Sequence, residues 1–103
     1  MVLGASDNGK TIQISLGTSV ELLLPDNPST GYRWTFKADQ NVLSIQEGIY
    51  RQLSNLVGGG GEMQWFITGK KVGTSQASFK RWREWEGENS AIEHYQLTFQ
   101  ITS

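Results

Sequence analysis

The sequence predicts an all-β domain, an antiparallel β-sandwich of about seven or eight strands. Three observations carry this. Apolar residues recur with a period of two along most of the chain, and no long stretch follows the helical period. The alternating runs are short and are split by Gly, Pro, Asn and Asp, the residues that favour turns. The chain has 103 residues, 37% of them hydrophobic, which suits one domain over 1–103 with a single core. A small closed barrel is the other architecture this pattern allows.

The elements follow in order. Ile12, Ile14 and Leu16 alternate with Gln13 and Ser15 in the first strand. Val20, Leu22 and Leu24 form the inner row of the second, and Tyr32, Trp34 and Phe36 that of the third. Leu43 and Ile45 begin a weaker fourth strand that reaches towards Tyr50. The segment 39–57 around it is the least regular, so this strand is expected to be broken or to pair at a sheet edge. Met63, Trp65 and Ile67 alternate with Gln64 and Phe66 in the fifth, and Ala77, Phe79 and Arg81 mark the sixth. Tyr95, Leu97, Phe99 and Ile101 close the chain with the cleanest alternation. Trp34 and Trp65, flanked by this pattern, are expected in the core.

The bulk properties exclude several functions. A net charge of −1 gives no general attraction to nucleic acid or to anionic membranes. No apolar run approaches the roughly 20 residues that cross a bilayer. Met1-Val2-Leu3-Gly4 is too short for the apolar part of a signal peptide. The sequence does not single out a compartment: it allows the cytoplasm or, with a leader removed, a lysosomal or phagosomal compartment or the exterior. There is no cysteine, hence no disulfide, thiol nucleophile or zinc–thiolate site. No His/Asp/Glu cluster has metal-ligand spacing, and no cofactor is expected. The single histidine, His94, reads as a solvated strand residue beside Glu93 and Gln96. Glu84, Glu86 and Glu88 read as a solvated run, and no Gly-x-Ser-x-Gly elbow is present. An enzyme is therefore not expected.

The informative residues lie in three connections. Asn27-Pro28-Ser29-Thr30-Gly31-Tyr32 joins the second and third strands. Pro28 fixes its own φ, Asn27 can accept from the backbone two residues on, and Gly31 is free to take positive φ. Small polar Ser29 and Thr30 stand at the tip of this narrow, preformed turn. Gly58-Gly59-Gly60-Gly61 joins the fourth and fifth strands, and the segment 80–87, with Arg83 and Trp85, joins the sixth and seventh. Successive strands of an antiparallel sandwich reverse direction. These first, second and third loops should therefore share one pole, as a binding edge made of loops requires.

With these motifs in order, the chain resembles the chagasin family, protein inhibitors of papain-like cysteine peptidases. That family carries Asn-Pro-x-Thr-Gly followed by an aromatic in its first loop, matched by Asn27 to Tyr32, with Trp34 also matching. Its Gly-x-Gly-Gly is met by Gly58 to Gly61. Its Arg-Pro-Trp is met in part by Arg83-Glu84-Trp85, where Glu84 stands in place of Pro. This departure implies a more flexible third loop, with a negative charge that favours some peptidase surfaces over others.

The resemblance implies an immunoglobulin-like sandwich that wedges its three loops into the cleft of a cathepsin-type peptidase and acts as a monomer when free. The first loop would sit beside the catalytic cysteine. The bare backbone of the glycines would pair with the peptidase backbone. Trp85 would be the third loop's hot spot, and Arg83 would make a charge-assisted hydrogen bond across the interface. Two rivals remain at this stage. One is a carbohydrate-binding module that uses exposed tryptophans, of which the chain has four. The other is a purely structural adhesion domain, which gives no reason for the motifs to share a pole.

Overall fold

The computed structural model describes residues 1–53 and 60–103. Eight strands are formed among the described residues: β1 (Val2–Leu3), β2 (Thr11–Ser15), β3 (Ser19–Asp26), β4 (Arg33–Ala38), β5 (Leu43–Gln52), β6 (Gly61–Gly69), β7 (Gly73–Trp82) and β8 (Glu93–Thr102). They build two four-stranded sheets, ordered β1-β3-β6-β5 and β2-β8-β7-β4. The sheets are antiparallel except at their N-terminal edges, where β1 runs parallel to β3 and β2 parallel to β8. The only helical turns among the described residues are single 3-10 turns, two of them in the third loop.

Alternation places the inner rows against each other. Leu22, Leu24, Trp65, Ile67, Phe79, Leu97 and Phe99 are all fully or almost fully buried. Trp65 sits at the centre, its ring 5.1 Å from Phe79 and 6.4 Å from Trp34, both edge-to-face. Phe79 continues the chain of rings to Tyr95 at 6.0 Å. Such aromatic pairs add to the stabilisation from area alone. Phe66, on the opposite face of β6, is exposed.

Three elements differ from the sequence pattern for identifiable reasons. Leu16 is 47% exposed, because β2 ends at Ser15 and Gly17, with φ +84°, turns the chain away. Tyr32 lies outside β4 and serves the loop pole instead of the core. β1 has only two residues, too few to show a period. The irregular fourth strand is borne out: β5 is a sheet edge with a register shift between Glu47 and Tyr50. The side chain of Gln64 fills that bulge, its Oε1 accepting from the Ile49 amide at 3.3 Å. A bulge on an edge strand also blunts pairing with other chains.

Tyr95 ties the N-terminus to the core by donating its hydroxyl proton to the Gly4 carbonyl at 2.7 Å. Burial, aided by nearby Asp7, pushes its pKa up to about 12. A pKa raised on folding means that stability is intact below the ordinary tyrosine range and is lost as pH rises through the folded value. Spectrophotometric titration should show one phenol ionising at about 12. The same step should be absent from Tyr95→Phe.

Candidate loop-built interaction site

The first loop is tied by its own side chains. Asn27 Oδ1 accepts from the Ser29 amide at 3.3 Å and from the Ser29 hydroxyl at 2.6 Å. The Thr30 hydroxyl donates to the Asn27 carbonyl at 2.8 Å, and Pro28 opens a single 3-10 turn over Pro28–Thr30. Gly31 then takes φ +82°, the left-handed conformation that side chains resist. Ser29 and Thr30 are exposed at the tip with their hydroxyls already engaged. The predicted turn is thus present in each particular.

The second loop is only partly described. Gly58 and Gly59 lie outside the described residues. Gly61 pairs with Asp26 on one side and Gln52 on the other. A Cβ at Gly61 would run into the Arg51 carbonyl, so this glycine is required by its own sheet, whatever it does for a partner. Gly60 accepts from the Leu53 amide at 3.2 Å across the mouth of the hairpin.

In the third loop, Glu84–Glu86 and Glu88–Ser90 form two consecutive 3-10 turns. Ser90 sews them together: its Oγ accepts from the Arg83 amide at 3.0 Å and lies 2.9 Å and 2.7 Å from the Arg83 and Gly87 carbonyls. Glu88 is pinned to Lys80 at 2.5 Å, and that bond holds its carboxyl below the usual range. The flexibility expected from Glu84 in place of proline is therefore opposed by bonds elsewhere in the loop. Glu84 itself is exposed.

The first and third loops meet. Arg83 Nη2 donates to the Thr30 carbonyl at 2.9 Å, Nη1 reaches Glu86 at 3.3 Å, and the guanidinium stacks 4.3 Å from the Tyr32 ring centre. In the free chain Nη1 and Nη2 of Arg83 thus hold the third loop to itself and to the first. Trp85 is 71% exposed, yet its ring edge rests over Gly31, where a Cβ would stand 3.1 Å from Cη2. Between them lies a recess of about 290 Å³ lined by Gly31, Arg33, Trp82, Glu84 and Trp85. Trp82 packs locally: its N–H donates to Thr35 Oγ1 at 2.9 Å, and the Lys80 ammonium covers one ring face at 3.8 Å.

The sequence reading missed what lies beneath the loops. Asp26 is 9% exposed, and Arg81 faces both it and Glu93. The available signal was the strand period itself, which puts all three residues on inner rows. No group of three or more His, Cys, Asp or Glu residues able to hold a metal occurs among the described residues. No helix there is long and apolar enough to cross a membrane.

A family model described as chagasin family peptidase inhibitor I42 matches residues 13–99. Chagasin of Trypanosoma cruzi is 29% identical over 94 residues, spanning 85% of this chain and 86% of that protein. The crystal structure of a cysteine protease inhibitor from Entamoeba histolytica is similar with a TM-score of 0.86 at 24% identity, covering 97% of this chain and 93% of the other. PbICP-C, solved in complex with falcipain-2, is similar with a TM-score of 0.68 at 17% identity over 98% of this chain and 97% of its own.

Proposed function

The chain belongs to the chagasin family of peptidase inhibitors, and from that premise we propose that it is a reversible inhibitor of papain-like cysteine peptidases whose first, second and third loops together fill the active-site cleft. It is not an enzyme; inhibition requires only that the cleft be blocked. The observation that carries the loop assignment is the junction of Arg83 with Thr30 and of Trp85 with Gly31. Two loops distant in sequence are locked into one edge before any partner arrives. An edge already ordered loses little conformational entropy on binding, which raises affinity.

Within that edge we assign contacts to Asn27, Pro28, Ser29, Thr30, Gly31 and Tyr32, to Gly58, Gly59, Gly60 and Gly61, and to Trp85. Arg83 acts chiefly by clamping the first loop. A single inhibitor domain, monomeric when free, is sufficient for this. The sugar-binding alternative is not supported. Trp82 is held by Thr35 and capped by Lys80, and Trp85 is perched on a loop tip, so the two indoles offer no open stacking platform.

Titration of active papain with this protein, followed by hydrolysis of a small fluorogenic substrate, tests the reading. The expected result is reversible inhibition near stoichiometric amounts with the inhibitor left uncut. Full activity at micromolar inhibitor, a binding free energy weaker than about −8 kcal/mol, would overturn it.

A further inference from the structure

Three inward-facing rows change chemistry at the same end of the sandwich. The row on β3 runs Val20, Leu22, Leu24 and then Asp26. That on β7 runs Ala77, Phe79 and then Arg81. That on β8, followed towards the loops, runs Phe99, Leu97, Tyr95 and then Glu93. The apolar core therefore ends, directly under the loops, on two carboxylates and a guanidinium. Arg81 Nη1 donates to Glu93 Oε1 at 2.8 Å, while its Nε stands 3.8 Å from Asp26 Oδ1 without a hydrogen-bond partner.

All three loops are rooted on Asp26. The first loop begins at the next residue, and the Asn27 amide donates to Asp26 Oδ1 at 2.8 Å. Its backbone pairs with Gly61 at the mouth of the second loop. Its carboxylate faces Arg81, two residues before the clamp residue Arg83 of the third. Arg33 on β4 adds a weaker attraction, and Glu93 on β8 a weaker repulsion.

We propose that Asp26 is a positioning residue for inhibition: its ionised carboxylate holds the roots of the first and third loops in the relative placement at which they meet the peptidase. The carboxylate acts through Asn27 and Arg81 and touches no peptidase, while the backbone pairing with Gly61 does not depend on its charge. The proposal rests on the reading of these loops as the contact edge.

The charge works against the fold. Burial raises the pKa of Asp26, and the Asn27 amide and Arg81 offset only part of this. A carboxylate with a higher pKa in the folded chain than in the unfolded one lowers stability at pH above that value, and protonation restores it. Removing the charge should therefore leave the melting temperature at neutral pH unchanged or higher while it weakens inhibition. Loss of a merely structural contact would lower both.

The test compares inhibition constants of the parent and Asp26→Asn against papain, from neutral pH down to about pH 4. Asparagine keeps an acceptor for the Asn27 amide and removes the charge. At neutral pH the variant should inhibit about tenfold more weakly. The ratio of the two constants, in which the peptidase's own titrations cancel, should shrink towards one as pH falls through the raised pKa of Asp26. Arg81→Gln should show the same loss, and the double variant no more than either single change. Equal constants at neutral pH, or a ratio that does not change with pH, would overturn the proposal. Should Asp26→Asn not fold, Asp26→Ser, small and uncharged, takes its place in the same comparison. A parent that fails to inhibit papain overturns the loop reading and this proposal together. A parent that inhibits beside an equal variant overturns this proposal alone.

Discussion

Trp85→Ala should weaken inhibition of papain by roughly 2–4 kcal/mol, a loss of about 30- to 1,000-fold, and leave the melting temperature where it was. The size of the effect comes from the geometry of the tip. Trp85 is 71% exposed in the free chain, so the fold gains little from it. Its ring nevertheless rests on Gly31, so its orientation is set before binding. A large aromatic surface that is both uncovered and prepositioned contributes its burial to the complex with a small loss of rotamer freedom. The loss should appear mainly as faster dissociation, as for most interface truncations. Equal inhibition constants for parent and variant would remove Trp85 from the contact.

Trp65→Ala has the opposite signature: it should reduce stability by about 3–5 kcal/mol, with a fall in melting temperature of roughly 15 °C or more. Trp65 is completely buried between the sheets and meets Phe79 and Trp34 edge-on. Its removal leaves a cavity that paired strands on both sides cannot close. Its indole N–H has no partner among the described residues. Trp65→Phe, which keeps a ring and deletes that unpaired donor, should therefore be far milder than Trp65→Ala. Thermal denaturation of the two variants checks this. Whatever fraction of Trp65→Ala remains folded should inhibit with the parent's affinity, since the residue reaches no loop tip.

The four tryptophans show how much the sequence could reveal. Trp34 and Trp65 stand in phase with apolar neighbours, and both are buried as that phase demands. Trp85 follows a strand that has run out, among charged residues, and it is exposed. Trp82 sits at the last position of β7, where period alone does not tell core from surface, and it is half covered by Thr35 and Lys80. The first loop was legible because Asn27, Pro28 and Gly31 each have a strong conformational preference, and the three agree. The link between the first and third loops was not. Arg83 and Thr30 are 53 residues apart, and nothing local in either segment encodes their meeting. Asp26, Arg81 and Glu93 were hidden for a different reason. A charge at a strand end ordinarily means that the strand has reached water, and only the pairing of the sheets reveals that these three face one another.

The contact between Gly31 and Trp85 bears on how such a protein can be re-engineered. Loops on a sandwich are commonly treated as interchangeable cassettes, each free to be randomised alone. Here a larger residue at position 31 is strained, because its φ is +82° and because its Cβ would stand 3.1 Å from the Trp85 indole, which would have to shift. Position 30 is likewise bound to position 83 through its carbonyl. The first loop grafted by itself onto another scaffold would arrive without its lid, and a library built on the third loop alone would loosen the first. The transplantable unit is the pair of loops together with β4 and β7, whose register from Arg33–Trp82 to Ala38–Ala77 fixes the distance between them.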